Sequence, residues 1–168
     1  SSDLDAVNDD NNPAPENQYA NHGMPCAGLV GANTNNSTGV AGAGYNVKVL
    51  PIMIGFNTDS KGIFATDNII LSRAANRVIS TAGVVAVSNS WATNIYYSSW
   101  EQAYSLMESN SRGGLGAAIL ASTGNDSINT IVYPSAYPFV VGIGASDYND
   151  LRAPFSNFGN MLDVVAPE

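Results

Sequence analysis

Residues 22–54 read HGMPCAGLVGANTNNSTGVAGAGYNVKVLPIMI and contain the only histidine of the chain, His22. The polar loop before His22 gives way to small and apolar residues, a pattern typical of a tightly packed helix, and Pro25 fits the first turn of such a helix. The apolar run from 47 to 54 predicts a buried strand. A histidine therefore stands where a loop meets a helix, a short distance before a strand.

Helices and strands continue to alternate along the rest of the chain. Apolar spacing predicts a helix over 66–79 and a second helix whose buried face carries Trp100, Ala103, Tyr104 and Met107. Ser98 and Glu101 have the spacing of a capping box at the start of that helix, and two glycines, Gly113 and Gly114, end it.

Continuous apolar runs predict further strands at 84–88, 116–121, 139–144 and 162–166. Buried strands that alternate with amphipathic helices indicate an α/β fold with a parallel sheet covered on both faces. In such folds the catalytic and ligand-binding residues lie on loops at the carboxyl ends of strands. The first twenty residues, rich in Asp, Asn and Pro, are predicted to be a loop.

Composition limits the classes of function. With 168 residues, 45% of them hydrophobic, the chain can bury one core, and a single domain is expected. The net charge of −8 argues against a nucleic-acid partner and favours cations or basic peptides. The single cysteine, Cys26, excludes an internal disulfide, and the sequence contains neither a transmembrane run nor a signal peptide.

Several motifs resemble the subtilisin-like serine proteases, or subtilases, and above all their kexin and furin branch. HGMPCAG at 22–28 resembles the kexin-type HGTRCAG, and VVAVSNSWA at 84–92 resembles the strand that lines the substrate cleft. SRGGLGAAILASTGND at 111–126 resembles the strand and loop with the oxyanion-hole asparagine. YPSAYPFVVGIGASDYNDLRAPFSNFGNMLDVVAPE extends the resemblance to the end of the chain, and by resemblance the bond before Pro134 is cis.

The resemblance implies a subtilisin-like three-layer sandwich with a mostly parallel central sheet, incomplete in this chain. It also implies that 1–168 is the central segment of one catalytic domain, and that the enzyme hydrolyses peptide bonds through a Ser-His-Asp triad. His22 would be its general base, and Asn125 would donate to the oxyanion. Segments that would bind the peptide or protein substrate are Ser90, Trp91 and Ala92, and Ser122, Thr123 and Gly124.

Two members of the family's machinery do not appear in these residues. The catalytic aspartate belongs to a DTG or DDG motif well before the histidine, and the nucleophilic serine to a GTSxA motif beyond the last residue of the chain. We therefore expect this chain alone to be inactive and to need the remaining segments of the same protease, or another polypeptide, to complete the fold. Asp3 and Asp5 are poor substitutes for the aspartate, because they lie too close to His22.

Calcium is the expected cofactor. Four aspartates near the start of the chain suit a hard cation, although a solvated surface turn would look the same. By resemblance, the ligands in that region are Asp5, Asp10 and Asn12. A second loop, after the histidine helix, would use mainly backbone carbonyls, at Asn33, Asn36, Thr38 and Val40.

Three other functions compete with this interpretation. Cys26 and His22 stand one helical turn apart and could form a thiol–imidazole pair, and two GxG triplets weakly suggest nucleotide binding. The chain could also belong to a non-catalytic subtilase-like protein that binds peptides or acts as a partner subunit. Furin-like specificity for basic residues is not supported, because no carboxylate occurs at 92–95. The family resemblance implies a secreted or periplasmic location.

Overall fold

The computed structural model describes residues 3–15, 17–57 and 64–167. It contains two compact units, Ser1–Arg77 and Val78–Glu168, while the assignment of 1–168 to one catalytic domain stays a prediction. Within the described residues, no helix has both the length and the apolar character required to cross a membrane.

The strands are β1 Leu4–Asp5, β2 Ile52–Met53, β3 Phe56–Asn57, β4 Phe64–Ala65, β5 Ala86–Asn89, β6 Ala118–Ser122, β7 Val141–Ser146 and β8 Val164–Pro167. The helices are α1 Gly23–Gly31, α2 Asn68–Ser80 and α3 Ser98–Gly114.

The first unit contains a short parallel pair and a small core. Strand β1 pairs with β2, so that Leu4 faces Ile52 in the register. Leu4, Ala6 and Ile70 form a buried cluster against which Val7, Ile52 and Ile54 pack.

Two predictions for the first unit need correction. The first twenty residues are not all loop, because 4–5 form a strand, and the strand predicted over 47–54 shrinks to the two residues that lie opposite it.

Helix α2 agrees with its prediction to within two residues at its start and one at its end. Asp67 stands just before it, and its Oδ1 accepts hydrogen bonds from the backbone N–H of Ile69 at 2.8 Å and of Ile70 at 2.9 Å. An aspartate at this place satisfies N–H groups that have no partner inside the helix. The predicted apolar face is buried: Ile70, Leu71, Ala74, Ala75 and Val78.

The second unit is organised by a four-stranded sheet in the order β5-β6-β7-β8, parallel throughout. The prediction of a parallel sheet is confirmed, and each of its strands begins two residues later than its apolar run. All four strands run the same way, so their carboxyl ends lie at one edge. The loops that follow β5 and β6 therefore emerge side by side.

Helix α3 packs against β6 and buries the four side chains predicted for its inner face. The predicted capping box is wrong: the residue that caps the helix is Tyr97, with no side-chain capping bond, and the Glu101 carboxylate accepts a hydrogen bond from the Tyr96 hydroxyl instead. The regular helix ends near Ser111, before Gly113 and Gly114 as predicted. The bond between Tyr133 and Pro134 is cis, as the resemblance implied.

Candidate active site

His22 lies immediately before α1, in the position that caps the helix, with an exposed side chain that makes no capping hydrogen bond. One turn further along, the half-buried Cys26 places its Sγ 3.9 Å from His22 Nε2. The structure thus brings together the thiol–imidazole pair that the spacing predicted. An exposed imidazole at the start of a helix is free to reach a substrate or another catalytic group.

Asn125 lies on the loop that follows β6 in the second unit. The strand ends at Ser122, and the next residue, Thr123, is buried and donates its N–H to Ile143 O at 3.0 Å. Gly124 then adopts a φ of +100°, which L residues with a side chain rarely adopt, and the chain turns sharply. The turn leaves Asn125 exposed at the carboxyl edge of the sheet.

The predicted substrate segment begins where β5 ends, beside the loop of Asn125. Asn89 is paired with Ala121 in parallel register, so Ser90 and Ser122 follow at neighbouring strand ends. A cavity of about 160 Å³ opens there, lined by Ser88, Asn89, Ser90, Leu120, Ala121, Ser122 and Ile143. The Trp91 ring packs edge to face on Trp100, with 5.6 Å between ring centroids. The segments predicted to bind substrate in this unit therefore adjoin one another.

The buried amide of Asn89 joins these two strands, and no pattern in the sequence predicts this contact. Asn89 Nδ2 donates to Leu120 O at 3.0 Å, and Asn89 Oδ1 accepts from the Tyr104 hydroxyl at 2.8 Å and from Trp91 Nε1 at 3.4 Å. Burial raises the pKa of Tyr104 above its ordinary range, so the hydroxyl keeps the proton that it donates. Asn89 therefore links β5 and β6 to the Trp91 indole, which belongs to the predicted substrate segment.

The loop of Asn125 is held by a second buried amide, Asn157, whose segment was recognised only as part of a family motif. The backbone N–H of Asn157 donates to Gly124 O at 3.0 Å. Asn157 Oδ1 accepts from the N–H of Asp126 at 2.9 Å and of Ile128 at 3.3 Å. Because these partners are about thirty residues away, no local pattern could have revealed the contact.

In the acidic loop near the start of the chain, N–H donors already occupy several oxygens of the carboxylates expected to bind calcium. Asp5 is buried, and its carboxylate already accepts hydrogen bonds from Val7 N at 2.8 Å, Asn8 N at 3.0 Å and Asn8 Nδ2 at 2.9 Å. Asp10 Oδ1 accepts from the N–H of Asn12 at 2.7 Å. Both carboxylate oxygens of Asp5 and Oδ1 of Asp10 thus accept from N–H donors, while Asp5, Asp10 and Asn12 as calcium ligands stay a prediction.

A guanidinium group also occupies this loop. Arg73 Nη1 donates to Ala6 O at 3.0 Å and to Val7 O at 3.3 Å, and its Nη2 lies 3.4 Å from Asp9 Oδ2. A cation is therefore present already, supplied by α2. Among the described residues, no three His, Cys, Asp or Glu side chains are grouped closely enough to hold a metal ion.

The second loop expected to bind calcium offers neutral oxygens. Asn36 Oδ1 accepts from Thr38 N at 3.1 Å, and Thr38 Oγ1 donates to Asn36 O at 3.4 Å. Asn33, Asn36, Thr38 and Val40 are all exposed, and both side-chain Oδ1 and backbone O of Asn36 already accept hydrogen bonds. The residues from 33 to 47 include no carboxylate, and a site built from them alone would attract a divalent cation weakly.

The chain is similar to known proteins over almost its whole length. The profile of the Subtilase family, Peptidase S8, matches residues 1–168. The Thermophilic serine proteinase of Bacillus sp. (strain AK1) is 32% identical over 165 residues, which are 97% of this chain and 37% of that protein. Thermitase of Thermoactinomyces vulgaris is 31% identical over 160 residues, or 94% of this chain and 52% of that protein.

Solved structures agree with these matches. The crystal structure of a cold adapted subtilisin-like serine proteinase superposes with a TM-score of 0.71 at 18% identity, covering 98% of this chain and 54% of that one. Proteases from Pseudoalteromonas arctica PAMC 21717 give a TM-score of 0.65 at 28% identity, covering 84% of this chain and 42% of that one. At 18% identity, the likeness to the cold adapted proteinase shows a shared fold only. The chain spans about half or less of the length of the relatives that it matches.

Proposed function

Because the chain belongs to the subtilase family, we propose that it supplies the general base and the oxyanion-stabilising amide of a serine endopeptidase. His22 is the proposed base and Asn125 the proposed oxyanion donor. The aspartate and the nucleophilic serine would come from segments outside these 168 residues. The chain without those segments is expected to show no peptidase turnover, because no acyl-enzyme can form without the nucleophile.

Each residue has a defined task in this proposal. The imidazole of His22 takes the proton of the serine hydroxyl as the serine attacks the carbonyl carbon, and then gives it to the leaving amine. The amide nitrogen of Asn125 donates a hydrogen bond to the carbonyl oxygen as it becomes negative. Backbone groups of 90–92 and 122–124 hold the extended substrate on either side, whatever its side chains are.

The observation that carries the proposal is the parallel register of β5 and β6. It places the ends of both strands together, with Ser90, Ser122 and the exposed Asn125 on one edge of the sheet. Loops at the carboxyl ends of parallel strands are where α/β folds place ligands. The exposed imidazole of His22, at the start of a helix, supports the role of a base.

Steady-state hydrolysis of a chromogenic peptide by the product of the complete reading frame tests the proposal. We expect Asn125→Ala to lower kcat by about 100- to 1000-fold, the usual cost of losing one oxyanion donor. His22→Ala should abolish the same activity, whereas Asn110→Ala, an exposed position near the end of α3, should have no effect. Unchanged kcat in Asn125→Ala would refute the assigned role.

The same experiment decides between the protease and a non-catalytic peptide-binding or partner protein. A complete reading frame with no aspartate motif, no serine motif and no peptidase activity would favour the latter. The contact between Cys26 Sγ and His22 Nε2, 3.9 Å long, keeps a thiol mechanism testable as well. Inactivation by thiol reagents but not by serine-directed reagents would support that mechanism.

Finer assignments rest on the sequence resemblance. We infer a kexin-like branch from 22–28 and 84–92, and a secreted or periplasmic location from the family. Calcium is proposed for the loop with Asn33, Asn36, Thr38 and Val40 and, on the resemblance alone, for Asp5, Asp10 and Asn12; it would stabilise these turns without taking part in chemistry. Addition of calcium should then raise the melting temperature, and Asn36→Ala should reduce that rise. An equal rise in both proteins would exclude this loop.

A further inference from the structure

We propose that Asn157 is a positioning residue that sets the direction of the Asn125 side chain, because it holds both peptide groups that flank Asn125. The proposal rests on the oxyanion role assigned to Asn125 above. Asn157 has no exposed surface, with a relative accessibility of 0%, and therefore acts through the loop rather than by touching a substrate.

The hydrogen bonds of Asn157 bracket Asn125. The carbonyl of Gly124, which belongs to the peptide group before Asn125, accepts from Asn157 N at 3.0 Å. The N–H of Asp126, which belongs to the peptide group after Asn125, donates to Asn157 Oδ1 at 2.9 Å. With the two neighbouring peptide planes fixed, both backbone dihedrals of Asn125 are fixed. The direction of the Cα–Cβ bond of Asn125, from which its side chain extends, is then determined.

Close packing tightens this arrangement on the side of Gly124. A Cβ added to Gly124 would lie 2.4 Å from Asn157 Nδ2 and 3.2 Å from its Cγ, and no carbon atom fits at that separation. Gly124 also has a φ of +100°, where a side chain is strained for a separate reason. A residue larger than glycine at position 124 is therefore incompatible with the present position of the Asn157 amide.

The segment that carries Asn157 is itself firmly held. Ser127 N donates to Phe155 O at 2.8 Å, and Phe158 N donates to Ile128 O at 3.1 Å, so contacts between the two segments flank Asn157 on both sides. Arg152 Nη1 donates to Ser156 O at 2.6 Å, and its guanidinium lies 4.7 Å from the centroid of the Phe158 ring. A segment held by several hydrogen bonds can hold the loop of Asn125 in one position.

An asparagine at position 157 destabilises the fold in one respect that an apolar side chain of the same size would not. Asn157 Nδ2 is buried and has no hydrogen-bond partner among the described residues. A buried donor without a partner is destabilising, so what favours the residue is its acceptor oxygen, which two backbone N–H groups share. The neutral amide also avoids the much larger cost of burying a charge.

Two variants separate the acceptor from the volume of the side chain. Asn157→Leu keeps a similar shape and loses the acceptor, whereas Asn157→Asp keeps an acceptor oxygen in the same place, and burial favours the neutral, protonated form of the new carboxyl group. In the product of the complete reading frame, we expect the Leu variant to speed hydrogen exchange of the Asp126 and Ile128 amides by about tenfold or more relative to wild type. The Asp variant should keep more of that protection. Asn160→Leu, at an exposed position three residues later, is the matched control.

Kinetics of the product of the complete reading frame provide the second measurement. Asn157→Leu should lower kcat by about 10- to 100-fold while KM changes little, because a small displacement of a catalytic group costs this much. Asn157→Asp should restore part of kcat. If either Asn157 variant fails to fold, Gly124→Ala disturbs the same contact from the opposite side and should also lower kcat more than it raises KM.

Three outcomes would overturn the inference. One is unchanged exchange and unchanged kcat in Asn157→Leu. Another is a general loss of protection throughout the second unit, with no partial restoration by Asn157→Asp, which would indicate a purely structural residue. The third is unchanged kcat in Gly124→Ala. If Asn125→Ala alone leaves kcat unaltered, the oxyanion proposal fails instead, and the exchange data still establish whether Asn157 holds the loop.

Discussion

Two loops of this molecule are each held by one buried side-chain oxygen, yet the partners of these oxygens lie at very different separations along the chain. Asp5 Oδ1 accepts hydrogen bonds from the N–H groups two and three residues later, those of Val7 and Asn8. Asn157 Oδ1 accepts from the N–H groups of Asp126 and Ile128, 31 and 29 residues earlier. The first contact closes its own turn, and the second connects two distant segments.

The difference has a physical consequence for each loop. A local contact stabilises the turn that contains it, and the turn can form as soon as its few residues do. A contact between distant segments makes the geometry of one segment depend on the folding of the other. Loss of the Asp5 carboxylate should therefore appear mainly as lost stability, whereas loss of the Asn157 amide should appear mainly as a misplaced Asn125.

The largest effect on stability is expected from Asp5→Ala. Three hydrogen bonds to a buried carboxylate disappear, and the Val7 and Asn8 N–H groups lose their acceptor. The free energy of unfolding should fall by about 3 kcal/mol, since hydrogen bonds to charged groups contribute about 1.5–3 kcal/mol each and are not additive. Urea unfolding followed by far-ultraviolet circular dichroism measures the change.

Asp10→Ala is the matched control for Asp5→Ala. Asp10 is exposed, and among the described residues its carboxylate accepts a hydrogen bond from Asn12 N, so loss of the side chain should cost no more than about 1 kcal/mol. Equal losses in the two variants would break the comparison, because the buried acceptor of the turn would then matter no more than an exposed one.

A smaller effect is expected from Arg73→Met, which keeps the aliphatic stem and removes the guanidinium. Arg73 connects α2 to the Asp5 loop through Ala6 O and Val7 O, and the variant should lose about 1–2 kcal/mol of unfolding free energy. Asp9→Asn removes only the ion pair, whose partners are 35% and 61% exposed, and should cost less than about 0.5 kcal/mol. Thermal melts of both variants test this order, and the reverse order would place the stabilisation in the ion pair.

The same distinction between local and distant contacts explains what the sequence could predict. Local patterns located the three helices of the described residues and the four strands of the parallel sheet: apolar spacing for α2 and α3, a run of small and apolar residues for α1, and continuous apolar runs for the strands. Each of these signals depends on neighbours within a few residues. The family motifs nominated His22 and Asn125. The family resemblance predicts calcium binding by Asp5 from a charge that is visible in the sequence, whereas the hydrogen bonds of its carboxylate are not visible there. Contacts such as those of Asn89 and Asn157 depend on the three-dimensional arrangement, and no spacing rule predicts them.

A further, small effect concerns alkaline pH in the second unit, which contains Asn157. This neutral amide does not titrate, so alkaline destabilisation of the second unit should come from buried phenols. Burial raises the pKa of Tyr137 to about 12, and a phenol in the unfolded chain ionises near pH ~10. The stabilising contribution of Tyr137 is therefore complete below pH ~10 and is lost as the pH rises through its folded-state pKa.

Tyr137→Phe should make the free energy of unfolding less steeply dependent on pH above ~10 than in the wild type. It should also cost about 1 kcal/mol at neutral pH, because the hydroxyl of Tyr137 donates to Tyr97 O at 3.0 Å. Tyr148→Phe, at a side chain that is 95% exposed, should change neither quantity. Urea unfolding at a series of alkaline pH values measures both slopes. Identical slopes for the two variants would mean that the pH dependence arises elsewhere, and the phenol of Tyr104, whose pKa burial also raises, would be the next to replace.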